Sequence, residues 1–411
     1  MIVPFKGLRP AEGRAADVVA PPYDVMNAAE AREMAQGRPW SFLHISRPEI
    51  DLPEGTDPYA SEVYAKAREN LDHMIAGGVL VRDSKPCYYA YRLTMADHVQ
   101  TGLVAAASVE AYDADRIKKH EHTRPVKEND RVRQIEALNA QTGPVFLVYR
   151  ANSVVDDVLA GVTRQQPPDV DVTARDGVRH EIWVIDDDNR IDALTSAFDA
   201  MDALYVADGH HRSASASRVA RTRRESLPEH TGQESWNYFL SVIFPDDQMQ
   251  ILDYNRVIRD LGGLTSQAFL ERVATVFSVK ASATPVKPAA PGAFGMYLDG
   301  VWYMLTLSSE RIPDDPVESL DVSLLANNLI APILGIVDQR TDDRIDFVGG
   351  IRGLDGLMQR VDSGEMAVAF SLPPTSMQAL MDVADAGEVM PPKSTWFEPK
   401  LADGLVSHVL D

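Results

Sequence analysis

Cysteine is almost absent from this sequence. The 411-residue chain has one, Cys87, so no disulfide bond can form within the chain. A lone cysteine is typical of proteins in a reducing compartment, where disulfides rarely persist. We therefore predict that Cys87 is a small buried apolar side chain and not a reactive nucleophile.

Long apolar runs are missing as well. A membrane-spanning helix needs about 20 consecutive apolar residues, and no segment of the chain approaches that length. The first seven residues contain Pro4 and Lys6, where the core of a secretory signal would be apolar. These absences predict a cytoplasmic protein that has no membrane partner.

Positive charge is scarce, because 40 Lys and Arg residues face 61 Asp and Glu residues and leave a net charge of −21 at pH 7. Such a surface repels nucleic-acid phosphates, so no nucleic-acid partner is expected. Two local basic clusters, in residues 118–133 and 212–224, interrupt the acidic background. Each could attract a small anion, although a solvated helix face is the alternative interpretation.

Helical and strand patterns alternate along the chain, which predicts a mixed α/β fold. We expect a composite α/β core over residues 1–260 and a smaller C-terminal α/β region over 261–411 packed on that core, with the proline-rich segment 285–291 as the best linker candidate. The patterns predict helices that begin near Asp57, Pro125, Val154, His210, Gln267 and Leu320, and strands within 88–93, 103–112, 145–149, 181–185, 204–207, 238–244, 249–258 and 294–307.

One unit of this pattern, residues 204–224, combines a short apolar strand, an Asp208-Gly209 turn and a helix. The first N–H groups of a helix are unpaired donors at the positive end of its dipole, and a glycine allows a ligand to approach them closely. Arg212 can bind a phosphate through two hydrogen bonds. The alternative is structural: Asp208 caps the helix and the histidines lie on the surface.

Residues 206–216 of this unit resemble the box of the ParB and sulfiredoxin superfamily, in which a Gly-x-(His/Arg)-Arg segment opens a helix and grips nucleotide phosphates. Residues 18–25, 120–131 and 393–400 resemble a bacterial family of unknown function, numbered ten-fifteen, that is often grouped with ParB-like proteins. The resemblance extends over nearly the whole chain. It implies a ParB/sulfiredoxin-like nucleotide-binding core.

Three activities of that superfamily compete. Partition-type DNA binding is disfavoured, since the chain is acidic and has no clear helix-turn-helix segment. Sulfiredoxin chemistry needs a cysteine in the box, where this chain has His210. The resemblance to the superfamily's free-serine kinases then implies phosphoryl transfer from ATP or ADP, with Mg²⁺, to a small hydroxyl compound such as free serine.

Phosphoryl transfer needs cations on the phosphate and a carboxylate that accepts the hydroxyl proton. We predict Glu121 as the general base, Asp24 as the alternative base, and His120 and His122 as catalytic neighbours. Segments 18–25, 120–131 and 208–213 should therefore meet in one cleft. The predicted nucleotide- and phosphate-binding residues are Asp208, Gly209, His210, His211, Arg212, Ser213, Lys127 and Arg131.

Two other functions remain open. A non-catalytic nucleotide-binding regulator would keep the phosphate box and need no base. In an extended segment His120 and His122 would face the same way, and a metal-dependent hydrolase or phosphatase could use them, although the His spacing of the helical zinc motif is absent. The five possible metal ligands are His120, His122, His210, His211 and Asp208.

The segment 393–400 carries Trp396 and Phe397 between lysines, and these rings could stack on an adenine or pack in the core, which is the better expectation. The oligomeric state is open, and a homo-oligomer is compatible with the sequence.

Overall fold

The computed structural model describes residues 1–227 and 229–411. The chain forms two compact units, of which the first comprises Met1–Met249 with Pro399–Asp411 and the second comprises Gln250–Glu398. The mixed α/β class predicted from the sequence is confirmed. The observed division falls at Gln250 and not at residue 261, and the final segment of the chain belongs to the first unit.

The strands are numbered here in chain order. They are β1 (Ile2–Val3), β2 (Gly7–Pro10), β3 (Leu80–Arg82), β4 (Tyr88–Met95), β5 (His98–Ser108), β6 (Ile117–Lys118), β7 (Ala140–Gln141), β8 (Val145–Tyr149), β9 (Val170–Thr173), β10 (Arg179–Ile185), β11 (Leu204–Asp208), β12 (Tyr238–Pro245), β13 (Ile251–Leu252), β14 (Tyr254–Ile258), β15 (Phe277–Ser282), β16 (Ala293–Leu298), β17 (Val301–Leu307), β18 (Ile345–Gly349), β19 (Val368–Ser371), β20 (Trp396–Phe397) and β21 (Ser407–Val409).

The α-helices are numbered in the same way. They are α1 (Ala15–Val18), α2 (Ala28–Ala35), α3 (Leu43–Ser46), α4 (Ser61–Ala76), α5 (Val109–Asp113), α6 (Pro125–Leu138), α7 (Ser153–Gln165), α8 (Asp188–Asp199), α9 (His210–Ser226), α10 (Ser266–Val273), α11 (Asp321–Leu325), α12 (Ala331–Leu334), α13 (Gly353–Asp362) and α14 (Met377–Asp385). Among the described residues, no helix combines the length and apolar character needed to cross a membrane.

The main sheet of the first unit has nine strands in the order β6-β11-β8-β12-β5-β4-β10-β9, with β1 alongside β5. β8 lies between β11, to which it is antiparallel, and β12, to which it is parallel. All five residues of β8 are buried, as expected for a short apolar run in the interior of a sheet that is covered on both faces. This placement puts β11 one strand from the β6 edge of the sheet.

The helix that follows β11 packs against α6. The Ser215 hydroxyl on α9 donates a 3.0 Å hydrogen bond to the Glu128 carbonyl on α6, and Arg218 donates a 2.8 Å bond to the Glu128 carboxylate. Thr123, just before α6, donates a 2.7 Å bond to the same carboxylate. The two helices that carry the basic clusters are therefore held side by side.

A second sheet in the first unit joins the two ends of the chain. Its order is β3-β2-β21-β7, so that β21, from the final segment, lies between strands from the N-terminal part of the chain. Cys87 is buried beside this region, as predicted. Burial raises the pKa of its thiol to about 11, which keeps the group protonated at neutral pH.

The second unit is built on a six-stranded sheet in the order β15-β17-β16-β19-β14-β18, and β13 pairs with β20. The strand predicted over 249–258 is split at the buried Asp253 into β13 and β14. The proline-rich segment 285–291 is wrong as a domain linker, because it connects β15 and β16 of this one sheet. The helix predicted near 320–334 contains a π-helical turn over Ala326–Ile330.

Candidate functional site

The turn between β11 and α9 depends on Gly209, which has a φ of 95°. Few side chains adopt this left-handed conformation without strain. Asp208 ends the strand, and one of its carboxylate oxygens accepts a 2.8 Å hydrogen bond from the Gly209 N–H. Gly209, and not Asp208 as one interpretation of the sequence had it, is thus the residue that precedes the helix.

Lys400 holds the other oxygen of Asp208 at 3.1 Å from its ammonium nitrogen. Partial desolvation favours the neutral acid, but Lys400 and Arg212 outweigh it and hold the pKa of Asp208 well below its usual range. The carboxylate is therefore charged throughout the physiological range. The sequence assigned Asp208 to the phosphate itself, whereas the structure shows it bonded to the turn and to Lys400.

Arg212 lies in the first turn of α9, and 14% of its side chain is exposed. Its Nη1 donates a 2.8 Å hydrogen bond to the Pro144 carbonyl, and its Nη2 lies 3.4 Å from a carboxylate oxygen of Asp24. Burial acts to lower the pKa of Arg212, but Asp24 and other acids raise it overall. The contact with Asp24 is longer than the 2.7–2.9 Å of a strong charged hydrogen bond.

Arg131, on α6, has the same exposed fraction as Arg212 and bonds to Asp130, with 2.7 Å between its Nη2 and the carboxylate. The guanidinium carbons of Arg131 and Arg212 lie 3.9 and 5.3 Å from the centre of the Tyr23 ring. The Tyr64 hydroxyl fixes Asp130 by a 2.7 Å hydrogen bond. Two largely buried guanidinium groups thus converge at one aromatic ring.

His120 and His210 form a buried pair beside the turn. Their ring centres are 4.5 Å apart at an interplanar angle of 89°, and the His120 N–H points at His210 Nε2 over 3.5 Å. Burial lowers the pKa of His120 to about 4 and lowers that of His210 well below its usual value. Both rings are therefore neutral at pH 7, so His210 does not bring a positive charge to a phosphate.

Glu121 is the predicted base. Its Oε2 lies 3.7 Å from His210 Nδ1, and its side chain is 56% exposed. A bend at Glu121 breaks the extended geometry of the segment, so the expectation that His120 and His122 face the same way is wrong. His120 is buried, while His122 is exposed.

The remaining predicted phosphate ligands are His211 and Lys127, which are accessible to solvent, and Ser213, which is buried. His211 is half-buried and its Nε2 accepts a 3.0 Å hydrogen bond from the Arg124 backbone, while Lys127 is exposed on α6. Desolvation lowers the pKa of His211, and Arg124 acts in the same direction. Ser213 is fully buried, and its hydroxyl donates to the His210 carbonyl over 3.1 Å. Its side chain therefore faces the helix backbone.

The predicted convergence of segments 18–25, 120–131 and 208–213 is present in the first unit, since Arg212 contacts Asp24, His210 contacts Glu121, and Arg131 shares the Tyr23 ring with Arg212. The four histidines do not gather as ligands. Within residues 1–227 and 229–411, no group of three His, Cys, Asp or Glu side chains is arranged to hold a metal ion.

Sequence reasoning missed Lys400 and Asp403 as members of this region. Both follow the second unit in the chain, and Asp403 lies in a cavity with Tyr23, Arg131 and Arg212. The resemblance of 393–400 to a family segment was the one available signal, and it stopped short of Asp403. Trp396, in the second unit, packs edge-on against Tyr254 with ring centres 5.1 Å apart, in keeping with the expected packing role.

Comparison with known proteins gives one family match. The family model described as "Protein of unknown function (DUF1015)" matches residues 2–323. No curated protein matches the chain.

Several solved structures show distant similarity. A conserved hypothetical protein from Pyrococcus furiosus is 14% identical, with 74% of this chain and 94% of that chain covered and a TM-score of 0.34. A free serine kinase in complex with AMP is 14% identical over 74% of this chain and 92% of its own, with a TM-score of 0.35. SbnI from Staphylococcus aureus is 12% identical over 72% and 84%, with a TM-score of 0.36. Scores at this level do not establish a common fold.

Proposed function

This chain belongs to the DUF1015 family, and we propose that it is a nucleotide-dependent phosphotransferase that transfers a phosphoryl group to a small hydroxyl compound such as free serine. The observation that carries the proposal is the convergence of Arg131 and Arg212 on Tyr23 at the start of α9. Asp130 already pairs with Arg131 at 2.7 Å, whereas the ion pair of Arg212 with Asp24 is longer, at 3.4 Å. The charge of Arg212, whose side chain is 14% exposed, is therefore the one that an added anion can compensate.

The start of α9 supplies the other half of a phosphate site. Arg212 and Ser213 donate their N–H groups to the Gly209 carbonyl, while the N–H groups at the very start of a helix point out of its end and attract anions. The long contact of Arg212 with the half-exposed Asp24 is one that a phosphate oxygen can displace, because a phosphate accepts shorter, charge-assisted hydrogen bonds. We place the nucleotide phosphates there.

The acceptor's hydroxyl needs a carboxylate that takes up its proton. We assign that role to Glu121, which is half-exposed and 3.7 Å from the neutral His210 ring. Asp24 is the second choice. Both lie close to the start of α9.

Mg²⁺ fits this arrangement as a partner of the nucleotide. Protein sites usually hold it through one or two carboxylates together with substrate phosphates. Asp24, Asp208 and Glu121 are half-exposed carboxylates of the region. Asp208 is bonded to Lys400 and Glu121 is assigned as the base, so Asp24 is the carboxylate that would hold the ion. When bound, the ion would neutralise charge on the transferring phosphoryl group.

The test combines binding and turnover. Calorimetric titration with ADP and ATP in the presence of Mg²⁺ measures affinity, and phosphate transfer to L-serine and other small alcohols measures activity. We expect Glu121→Gln to retain nucleotide affinity within about twofold and to lose at least about a hundredfold in kcat, the range of general-base contributions. Asp24→Asn tests the alternative base, since a larger loss of kcat than in Glu121→Gln would assign the proton transfer to Asp24.

Retained binding with no turnover by the unmutated protein on any acceptor would instead identify a non-catalytic nucleotide-binding regulator. Failure of the unmutated protein to bind ADP, ATP or pyrophosphate would overturn the proposal.

A further inference from the structure

Asp403 is a buried carboxylate that has no role in the proposed phosphate site. It is 2% exposed, and its backbone is fixed by a 2.9 Å hydrogen bond from its N–H to the Ala20 carbonyl. Its Oδ1 has no hydrogen-bond partner among the described residues. A buried acceptor without a donor costs free energy, so this oxygen is suited to a donor that arrives with a ligand.

The Asp403 side chain lines a cavity of about 40 Å³ that is partly open to solvent, which is room for about three waters or for one end of a small ligand. Arg131, Arg212, Tyr23 and Gly143 line it as well. A Cβ added at Gly143 would lie 3.3 Å from Arg212 Nε and 3.5 Å from Asp403 Oδ1. The missing side chain at Gly143 therefore keeps the space between the guanidinium and the carboxylate open.

The cavity wall carries charges of both signs. Asp130 holds Nε and Nη2 of Arg131, so the Nη1 group of this guanidinium is left to bind an anionic group. The carboxylate of Asp403 attracts a cationic donor. A small molecule with a carboxylate and an ammonium group a few bonds apart matches this wall, whereas a simple alcohol or a hydroxy acid satisfies only part of it.

On the basis of the proposed phosphotransferase activity, we infer that Asp403 is a specificity-determining residue that binds the ammonium group of the acceptor. Arg131 binds the acceptor's carboxylate, and the hydroxyl is left to face the nucleotide phosphates at Arg212. The site then selects hydroxy amino acids over the corresponding hydroxy acids, because only the former supply a positively charged donor to Oδ1.

This arrangement gives acceptor binding a pH dependence. Burial raises the pKa of Asp403 to about 7, and Asp24 acts in the same direction, while Arg212, Arg131 and a hydrogen bond from the Tyr23 backbone oppose them. Tyr91, on β4, also lies in the electrostatic environment of Asp403. The ammonium group binds the ionised carboxylate, which is the major form above pH 7, so affinity for an amino acid rises by about tenfold between pH 6 and pH 8.

The experiment titrates L-serine and L-glycerate calorimetrically, with and without ADP, into the full chain at pH 6 and pH 8. Glycerate has the carboxylate and the terminal hydroxyl of serine and carries a neutral hydroxyl in place of the ammonium group. For Asp403→Asn at pH 8 we expect at least about a tenfold loss of serine affinity, the effect of one charge-assisted hydrogen bond. Glycerate affinity should change less than about threefold, and the pH dependence of serine binding should disappear.

Gly143→Ala is the second variant, since a methyl group there narrows the space between Arg212 and Asp403 without removing a charge. It should weaken the binding of both acceptors. Thermal melting of each variant shows whether it is folded. Equal losses for serine and glycerate in Asp403→Asn, unchanged serine binding, or no serine binding by the unmutated protein would overturn the inference. A separate titration measures ADP binding by the unmutated protein. Its failure to bind ADP would overturn the proposed function, whereas the serine titrations test the role of Asp403.

Discussion

Arg131 and Arg212 contact one side chain, Tyr23, from two different helices, with guanidinium carbons 3.9 and 5.3 Å from the ring centre. Each cation lowers the pKa of the tyrosine, but burial outweighs them and raises it overall. The Tyr23 hydroxyl therefore remains neutral beside two positive charges. This geometry leads to the first prediction.

Arg212→Ala should weaken binding of ADP or pyrophosphate by at least tenfold. Arg212 is the arginine in the first turn of α9. A charge-assisted hydrogen bond contributes about 1.5–3 kcal/mol, and a loss of 1.4 kcal/mol weakens the affinity about tenfold. Arg221→Ala is the matched control, because Arg221 is exposed on the same helix. Calorimetry should show less than a twofold change for the control. Similar losses in both variants would indicate a diffuse basic surface.

Gly209→Ala should reduce both stability and nucleotide binding. Its φ of 95° strains any residue with a Cβ, and the added atom would lie 3.4 Å from Val145 Cα. Gly177→Ala provides the control, because Gly177 has a φ of 84° and nothing within 4 Å of an added Cβ. We expect each variant to lose about 1–2 kcal/mol in urea unfolding. A fall in ADP affinity should accompany Gly209→Ala alone, and its absence would argue against phosphate binding at this turn.

The buried histidines predict acid sensitivity. Burial lowers the pKa of His120 to about 4, while in the unfolded chain it is near 6.5. Between these values the unfolded chain binds the extra proton, so the free energy of unfolding falls as the pH drops, by up to about 1.4 kcal/mol per pH unit for this residue. The destabilisation begins below about pH 6.5 and is complete near pH 4.

Urea unfolding at pH 7 and pH 5 measures this dependence. Burial also lowers the pKa of His180, His210 and His408, so the test is the difference between variants and not the total slope. His120→Gln should reduce the loss of stability between pH 7 and pH 5 by about 1–2 kcal/mol. His122→Gln, at an exposed position, should leave it unchanged. Identical slopes in the two variants would contradict a neutral, buried His120.

Local patterns predicted much of the first unit. The run 145–149 became β8, and the strand, glycine and helix at 204–226 were recognised because each has a strong local signal. The helix from Pro125 begins where a proline favours a first turn. The site segments were grouped by family resemblance, and the structure brings them together.

What the sequence did not reveal depends on distant contacts. Asp403 has no periodic pattern around it, and its importance comes from a fold that brings it to Tyr23 and Arg212. The inward orientation of Ser213 and the separation of His120 from His122 depend on packing around α9 and on the bend at Glu121. Tertiary contacts decide such side-chain environments, and local propensity does not.

The position of β21 between β2 and β7 has a consequence for biosynthesis. Pro399–Asp411 completes the first unit, yet the ribosome adds it only after the whole second unit, Gln250–Glu398, has been made. Domains tend to fold from the N-terminus as they emerge. Here the nascent first unit lacks the strand that pairs with β2 and β7, and it lacks Lys400 opposite Asp208, until the end of synthesis. A chain stalled or cleaved before this last strand would carry every residue of α6 and α9 and still lack a finished pocket.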